Sequence, residues 1–120
     1  MKKLSCHCGG VEIEVNVPDQ FKKLMRCNCS LCKRKGIIMT MVENNDLRIL
    51  KGKDLLKLYQ YHTKVAEHYF CSNCGIYTHH KMRSNPNMYG INVACLEGVK
   101  PFELENVLVN DGENHPMDKK

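Results

Sequence analysis

Seven of the chain's eight cysteines fall in three short groups: Cys6-His7-Cys8-Gly9, Cys27-Asn28-Cys29-Ser30-Leu31-Cys32 and Cys71-Ser72-Asn73-Cys74-Gly75. In an extended segment residues two apart point to the same side, so Cys6 and Cys8 can present two thiolates together, and Cys71 and Cys74 have the two-residue gap of a metal knuckle. A glycine follows each pair, able to take the positive φ that folds backbone tightly around a sulfur. These two pairs read as the halves of one closed four-cysteine zinc site, structural in kind, joining the start of the chain to its second half. The middle group differs. Cys27, Cys29 and Cys32 can wrap one metal but leave a tetrahedral ion one ligand short, and an open position is the mark of a catalytic metal. Three thiolates on Zn2+ make a soft, net negative site that acidifies water weakly and suits a thiol entering as thiolate. Lys33 and Arg34, with Arg26 nearby, stand where they could attract that molecule's carboxylates.

The competing readings are redox pairs or buried thiols. Cys29 and Cys32 form a Cys-x-x-Cys that could cycle as a dithiol. Cys95 shares an apolar strand side with Ile91 and Val93 and reads as an inert core thiol. Of the adjacent His79 and His80, a strand lets only one face inward, where it could reach the open metal or its substrate; otherwise both are surface histidines. His7 points away from Cys6 and Cys8, and His62, His68 and His115 have no visible partner. Lys33-Arg34-Lys35 could equally be a solvated face.

These residues need elements to hold them. The chain has 120 residues, 42% hydrophobic and 26% charged, which predicts one globular domain over residues 1–112 followed by a polar, mobile tail, 113–120. A core of this size is marginal without a cross-link. Val11 to Val17 alternates apolar and polar residues, placing Val11, Ile13, Val15 and Val17 on one face of a half-buried strand. Further short strands are expected over residues 36–42, 47–50, 56–62, 67–71, 87–96 and 106–110, broken by turn formers such as Asn44-Asn45-Asp46, Gly52, Pro86, Gly98 and Pro101. The only helical possibilities are 19–25 and 53–61, both short. The expectation is a mainly β domain.

Several functions are disfavoured. No run of 18 apolar residues exists, and Met-Lys-Lys-Leu-Ser leads into Cys6 without an apolar leader, so a cytoplasmic protein without membrane span is expected. In a reducing compartment clustered cysteines point to metal before disulfides. The net charge of +5 is scattered, and with no Trp a nucleic-acid platform is not indicated.

The order Cys-His-Cys-Gly, Cys-Asn-Cys-Ser-Leu-Cys and Cys-Ser-Asn-Cys-Gly, with its spacing, resembles the glutathione-dependent formaldehyde-activating enzyme family, which also includes centromere protein V-like proteins. The resemblance runs from Cys6 to about Leu96, with Ile91 to Leu96 similar to the family's late strand. It implies an Mss4-like fold of stacked antiparallel β-sheets. It also implies two zinc ions per chain: a structural one on Cys6, Cys8, Cys71 and Cys74, and a catalytic one within Cys27, Cys29 and Cys32. The implied activity is that of a carbon-sulfur lyase acting on a glutathione adduct such as S-hydroxymethylglutathione. The alternatives are a non-catalytic zinc-stabilised module binding protein or nucleic acid, and a thiol- or zinc-exchange protein.

Overall fold

The computed structural model describes residues 1–61, 64–82, 85 and 87–111. Pro86, His62, His115 and the tail expected to be mobile lie outside the described residues. Ten strands follow one another: β1 (Lys2–Ser5), β2 (Glu12–Val15), β3 (Leu24–Cys27), β4 (Met39–Glu43), β5 (Leu47–Lys51), β6 (Leu56–Tyr59), β7 (Glu67–Cys71), β8 (Tyr77–Lys81), β9 (Met88–Asn92) and β10 (Val107–Asn110). Among the described residues one α-helical turn, α1 (Cys32–Lys35), and short 3-10 turns interrupt them. They form a three-stranded sheet, β1-β2-β5, and a seven-stranded sheet, β10-β3-β4-β9-β8-β7-β6. The fold is mainly β with stacked antiparallel sheets, the parallel pair being β10 with β3.

The alternation in β2 does what its pattern predicts. Val11, Ile13 and Val15 are fully buried and Val17 nearly so, while Glu12 and Glu14 face outward toward Lys3 and Arg48. The buried face meets Leu4, Leu24, Val42, Ile91, Val93 and Leu96 in one core. Cys6 and Cys71 belong to that core. A smaller cluster of Cys29, Cys32 and Met39, flanked by Met25, Leu31 and Met41, sits apart from it. The cysteine groups therefore lie against two separate apolar clusters.

Neither short helical possibility forms an α-helix, the strand expected over 56–62 is present as β6, and two other local expectations are corrected. Residues 19–25 are not helical; Leu24 begins β3, because β10 and β4 supply hydrogen-bonding edges on its two sides. Residues 53–61 form a single 3-10 turn, Lys53–Leu55, and then strand β6, which pairs along its whole length with β7. The strand expected over 87–96 stops at Asn92, whose side chain accepts the Ala94 N–H and caps a 3-10 turn, Val93–Cys95. The apolar run from Gly36 starts its strand only at Met39, because the preceding residues close the unexpected turn α1 through the Gly36 N–H to the Cys32 carbonyl. Among the described residues no helix is long and apolar enough to cross a membrane.

Candidate functional site

Gly9 and Gly75 both adopt φ of 77°, the left-handed region a side chain disfavours, and so let each cysteine pair wrap back on itself. The Cys71 turn is closed by Gly75 N–H to the Cys71 carbonyl at 2.7 Å and Cys71 N–H to the Ile76 carbonyl at 3.0 Å. The β1 end and the β7 end meet there. Sγ of Cys6 and Cys8 stand 3.6 Å apart, Cys8 and Cys71 3.7 Å apart, and all four sulfurs of Cys6, Cys8, Cys71 and Cys74 lie within 4.8 Å of one another. Tetrahedral zinc with Zn–S of about 2.3 Å requires sulfurs about 3.8 Å apart, so the set fits the ion. Backbone N–H groups of Gly10 and Val11 donate to Cys8 and Cys6 at 3.4 and 3.3 Å, which suits thiolates. Hydrogen bonding, from the Asn73 side chain first, lowers the Cys8 thiol. Burial pushes Cys74 up, but backbone donors at Cys8 and Ile76 and the Cys71 and Cys6 thiols outweigh it and hold it at about 6.

Cys27 ends β3, Cys29 lies in the following turn and Cys32 opens α1. Their sulfurs also lie within 4.8 Å of one another, and among the described residues no fourth His, Cys, Asp or Glu ligand atom joins them. The donor set again fits a soft metal, with three thiolate ligands. Cys29 accepts from the Cys32 N–H at 3.3 Å, and its Sγ lies 3.6 Å from the Tyr61 hydroxyl. Asn110, brought alongside Cys27 by the parallel register, reaches the Cys27 sulfur at 3.8 Å. Shared hydrogen bonds, with Cys27 first, lower the Cys29 thiol and raise that of Cys32.

Lys33 and Arg34 are exposed on α1, Arg34 donating to the Ser30 carbonyl at 2.6 Å. Lys35, which spacing alone did not single out, turns inward. It lies one turn beyond Cys32, its Nζ is buried without a hydrogen-bond partner among the described residues, and it sits 3.4 Å above the Tyr77 ring. Burial lowers its pKa, with the Cys32 and Cys29 charges opposing. The signal for it was the α1 turn itself, since residues at i and i+3 share a helix face.

The two histidines do point to opposite faces, but both are buried, because the seven-stranded sheet is covered on each side there. A bulge decides which ring joins each face: between Tyr69 and Phe70 the register shifts, leaving Thr78 as the extra residue of β8. Tyr77 and His80 consequently share one face, where both rings contact His68 at centroid distances of 6.2 and 5.6 Å. His79 turns to the other, stacked on Tyr69 at 4.8 Å and bonded through Nδ1 to the Thr78 hydroxyl. Burial holds His79 at about 4 and His80 at about 3. His68, without a visible partner in sequence, contacts Tyr61, Tyr77 and His80. His7 is exposed, between the buried Cys6 and the exposed Cys8. Cys95 is half-buried against the main core, faces the Tyr77 carbonyl at 3.8 Å, and burial pushes its thiol up to about 11.

The model of the family described as glutathione-dependent formaldehyde-activating enzyme matches residues 1–108. A crystal structure of a Rhodobacter sphaeroides protein superposes with a TM-score of 0.86 at 51% sequence identity, covering 90% of this chain and 99% of that one.

Proposed function

We propose, for a chain that belongs to the glutathione-dependent formaldehyde-activating enzyme family, that it is a zinc enzyme joining a small anionic thiol, glutathione first, to formaldehyde or reversing that step. Cys6, Cys8, Cys71 and Cys74 would hold a structural zinc, and Cys27, Cys29 and Cys32 a catalytic one. The metal's chemistry at the second site is to hold a thiol as its thiolate. The observation that carries the reading is the arrangement of three sulfurs within 4.8 Å with no fourth ligand atom among the described residues, against four in the other group. In the reaction the sulfur's electron pair forms the C–S bond while the carbonyl oxygen gains a proton and becomes the adduct hydroxyl, with no change of oxidation state.

The chain's own residues divide the remaining work. The exposed Lys33 and Arg34 flank the trio, where glutathione's carboxylates would need cations. Tyr61 and the Cys32 N–H support negative charge on Cys29, so the sulfur set can carry its charge in a partly buried place. Cysteines that hold metal rather than pair as disulfides suit a reducing compartment such as the cytoplasm.

Native intact-mass measurement should find two zinc ions per chain. Calorimetry should find S-methylglutathione, which cannot supply a thiolate, binding far more weakly than glutathione, and X-ray absorption should count a fourth sulfur at saturating glutathione. Equal affinity for the S-methyl compound, or a coordination count unchanged by glutathione, would refute the thiolate reading.

A further inference from the structure

Among the described residues β1 and β5 end the smaller sheet, and β6 and β10 end the larger. An edge strand offers unpaired N–H and C=O groups to any extended chain, and lysine or arginine on it opposes such pairing. β1 carries Lys2 and Lys3, β5 carries Arg48 and Lys51, and β6 carries Lys57. β10, Val107-Leu108-Val109-Asn110, carries neither a charge nor a proline. Its apolar side chains are nevertheless outside: Leu108 is 53% exposed and Val109 68%. Neighbours in a strand point to opposite faces, so this edge is apolar on both.

The backbone shows which groups the edge offers. The Asn110 carbonyl accepts the Asn28 N–H at 3.2 Å, which turns the backbone groups of Asn110, and by alternation those of Leu108, toward β3. Val107 and Val109 then present their N–H and C=O groups to the outer side. The sequence shows what could meet them. Asn106-Val107-Leu108-Val109-Asn110 reads the same in both directions, so an antiparallel second copy sets like against like about a two-fold axis. Val107 of each copy exchanges bonds with Val109 of the other, and Leu108 stands opposite Leu108 in the close, non-hydrogen-bonded position. Self-pairing brings no charge of one strand against the other. Beyond the strand, Asn106 at φ 57° turns Glu105 out of line, and the Asp111 carboxylate accepts from Asn28 on the β3 side.

We propose that the outer edge of β10 is the interface of a two-fold dimer of this chain, the two seven-stranded sheets joining through antiparallel β10 strands with Leu108 on the axis. The inference stands on the fold and is independent of the zinc and thiol readings. So short a strand buries less than a standard interface, and a Kd of about 10–100 μM is expected. Pairing also holds β10 against β3 from outside, and β10 is the strand that brings Asn110 to 3.8 Å from the Cys27 sulfur.

Sedimentation equilibrium of the zinc-loaded full chain in reducing buffer, across concentrations bracketing that Kd, should show the wild type passing from one chain mass to two. Leu108→Lys and Leu108→Glu each set like charges across the axis at a residue exposed in the single chain. Each variant should keep the β circular dichroism spectrum and dimerise about tenfold more weakly or worse, while their equimolar mixture should associate about tenfold better than either alone. Phe102→Ser removes a fully exposed ring from the Pro101–Glu103 turn, off the strand, and should leave the dimer unchanged. Hydrogen exchange should show the Val107 and Val109 amides gaining protection with concentration in the wild type and not in Leu108→Lys. A wild type that stays monomeric would overturn the inference. So would a dimer that both charge variants spare, or one that Phe102→Ser alone dissociates. Val107 and Val109 amides already protected in the monomer would mean that another segment of the chain covers this edge, and would overturn it as well.

Discussion

Cys71→Ser and Cys29→Ser each remove one sulfur, yet the architecture makes their consequences unequal. Cys71 is fully buried in the main core, and its partner Cys8 is 63 residues away. Tying the chain at that separation removes about 4 kcal/mol of loop-closure freedom from the unfolded state, taking the disulfide relation as a guide to any cross-link. Binding of a structural zinc contributes about 10 kcal/mol or more at neutral pH, against a whole-domain stability of about 5–15 kcal/mol. Cys29 and Cys32 are three residues apart, within a turn that backbone hydrogen bonds already close, so losing the Cys29 sulfur frees almost no chain entropy. Cys71→Ser should therefore unfold the domain or lower its melting temperature by more than about 10 °C. Cys29→Ser should cost about 1–2 kcal/mol, keep the β spectrum, and lose thiol binding. Circular dichroism melts with zinc release followed by a chromophoric chelator decide it, and a chelator titration should show one zinc leaving without unfolding before the second leaves with it. If Cys29→Ser unfolds the chain as completely as Cys71→Ser, the middle site is structural and the loop argument is wrong.

Three further outcomes are expected. His79, held at about 4 by burial against an ordinary 6.5, stays neutral where the unfolded chain takes up a proton. Stability should therefore fall as pH drops from about 6.5 toward 4, by up to about 3 kcal/mol from this residue, and His79→Gln should flatten that part of the slope; an NMR titration placing His79 near 6.5 would refute it. Gly90→Ala would drive a Cβ into the His80 ring, which must move, so a loss of about 1–3 kcal/mol in denaturant unfolding is expected, and a wild-type midpoint would contradict the packing. Replacing Lys33 and Arg34 together by Ala should weaken glutathione binding by about 1–3 kcal/mol and reduce its salt dependence in calorimetry, whereas unchanged affinity would remove these residues from the substrate site.

What could be read from the chain alone follows the range of the interactions involved. The β2 alternation and the paired cysteines with their glycines are local patterns, legible because a strand's period and a knuckle's turn are set by neighbours in sequence. The strand at Leu24 was not legible, since its edge partner β10 lies more than 80 residues on and is parallel. Residues 53–61 mix apolar and charged side chains in a way either period accommodates, and only pairing with β7 chooses the strand. Asn110 beside Cys27 has the same origin: nothing in either segment announces the other until the register is set.

The aromatic and histidine cluster shows how a single inserted residue can carry functional consequences. Strict alternation puts residues 77 and 80 on opposite faces of a strand, so a sequence reading separates Tyr77 from His80. The extra residue Thr78 cancels one step of that alternation. Tyr77 is thereby brought to the face that holds His68 and His80, under the ammonium of Lys35, which itself lies one turn past Cys32. His79 is left to the other face, with Tyr69 and Tyr89. A deletion of Thr78 would restore regular pairing and leave Tyr77 two positions from His80, on the same face. The grouping of Tyr77 with His68 and His80 therefore depends on a bulge that no single residue type announces.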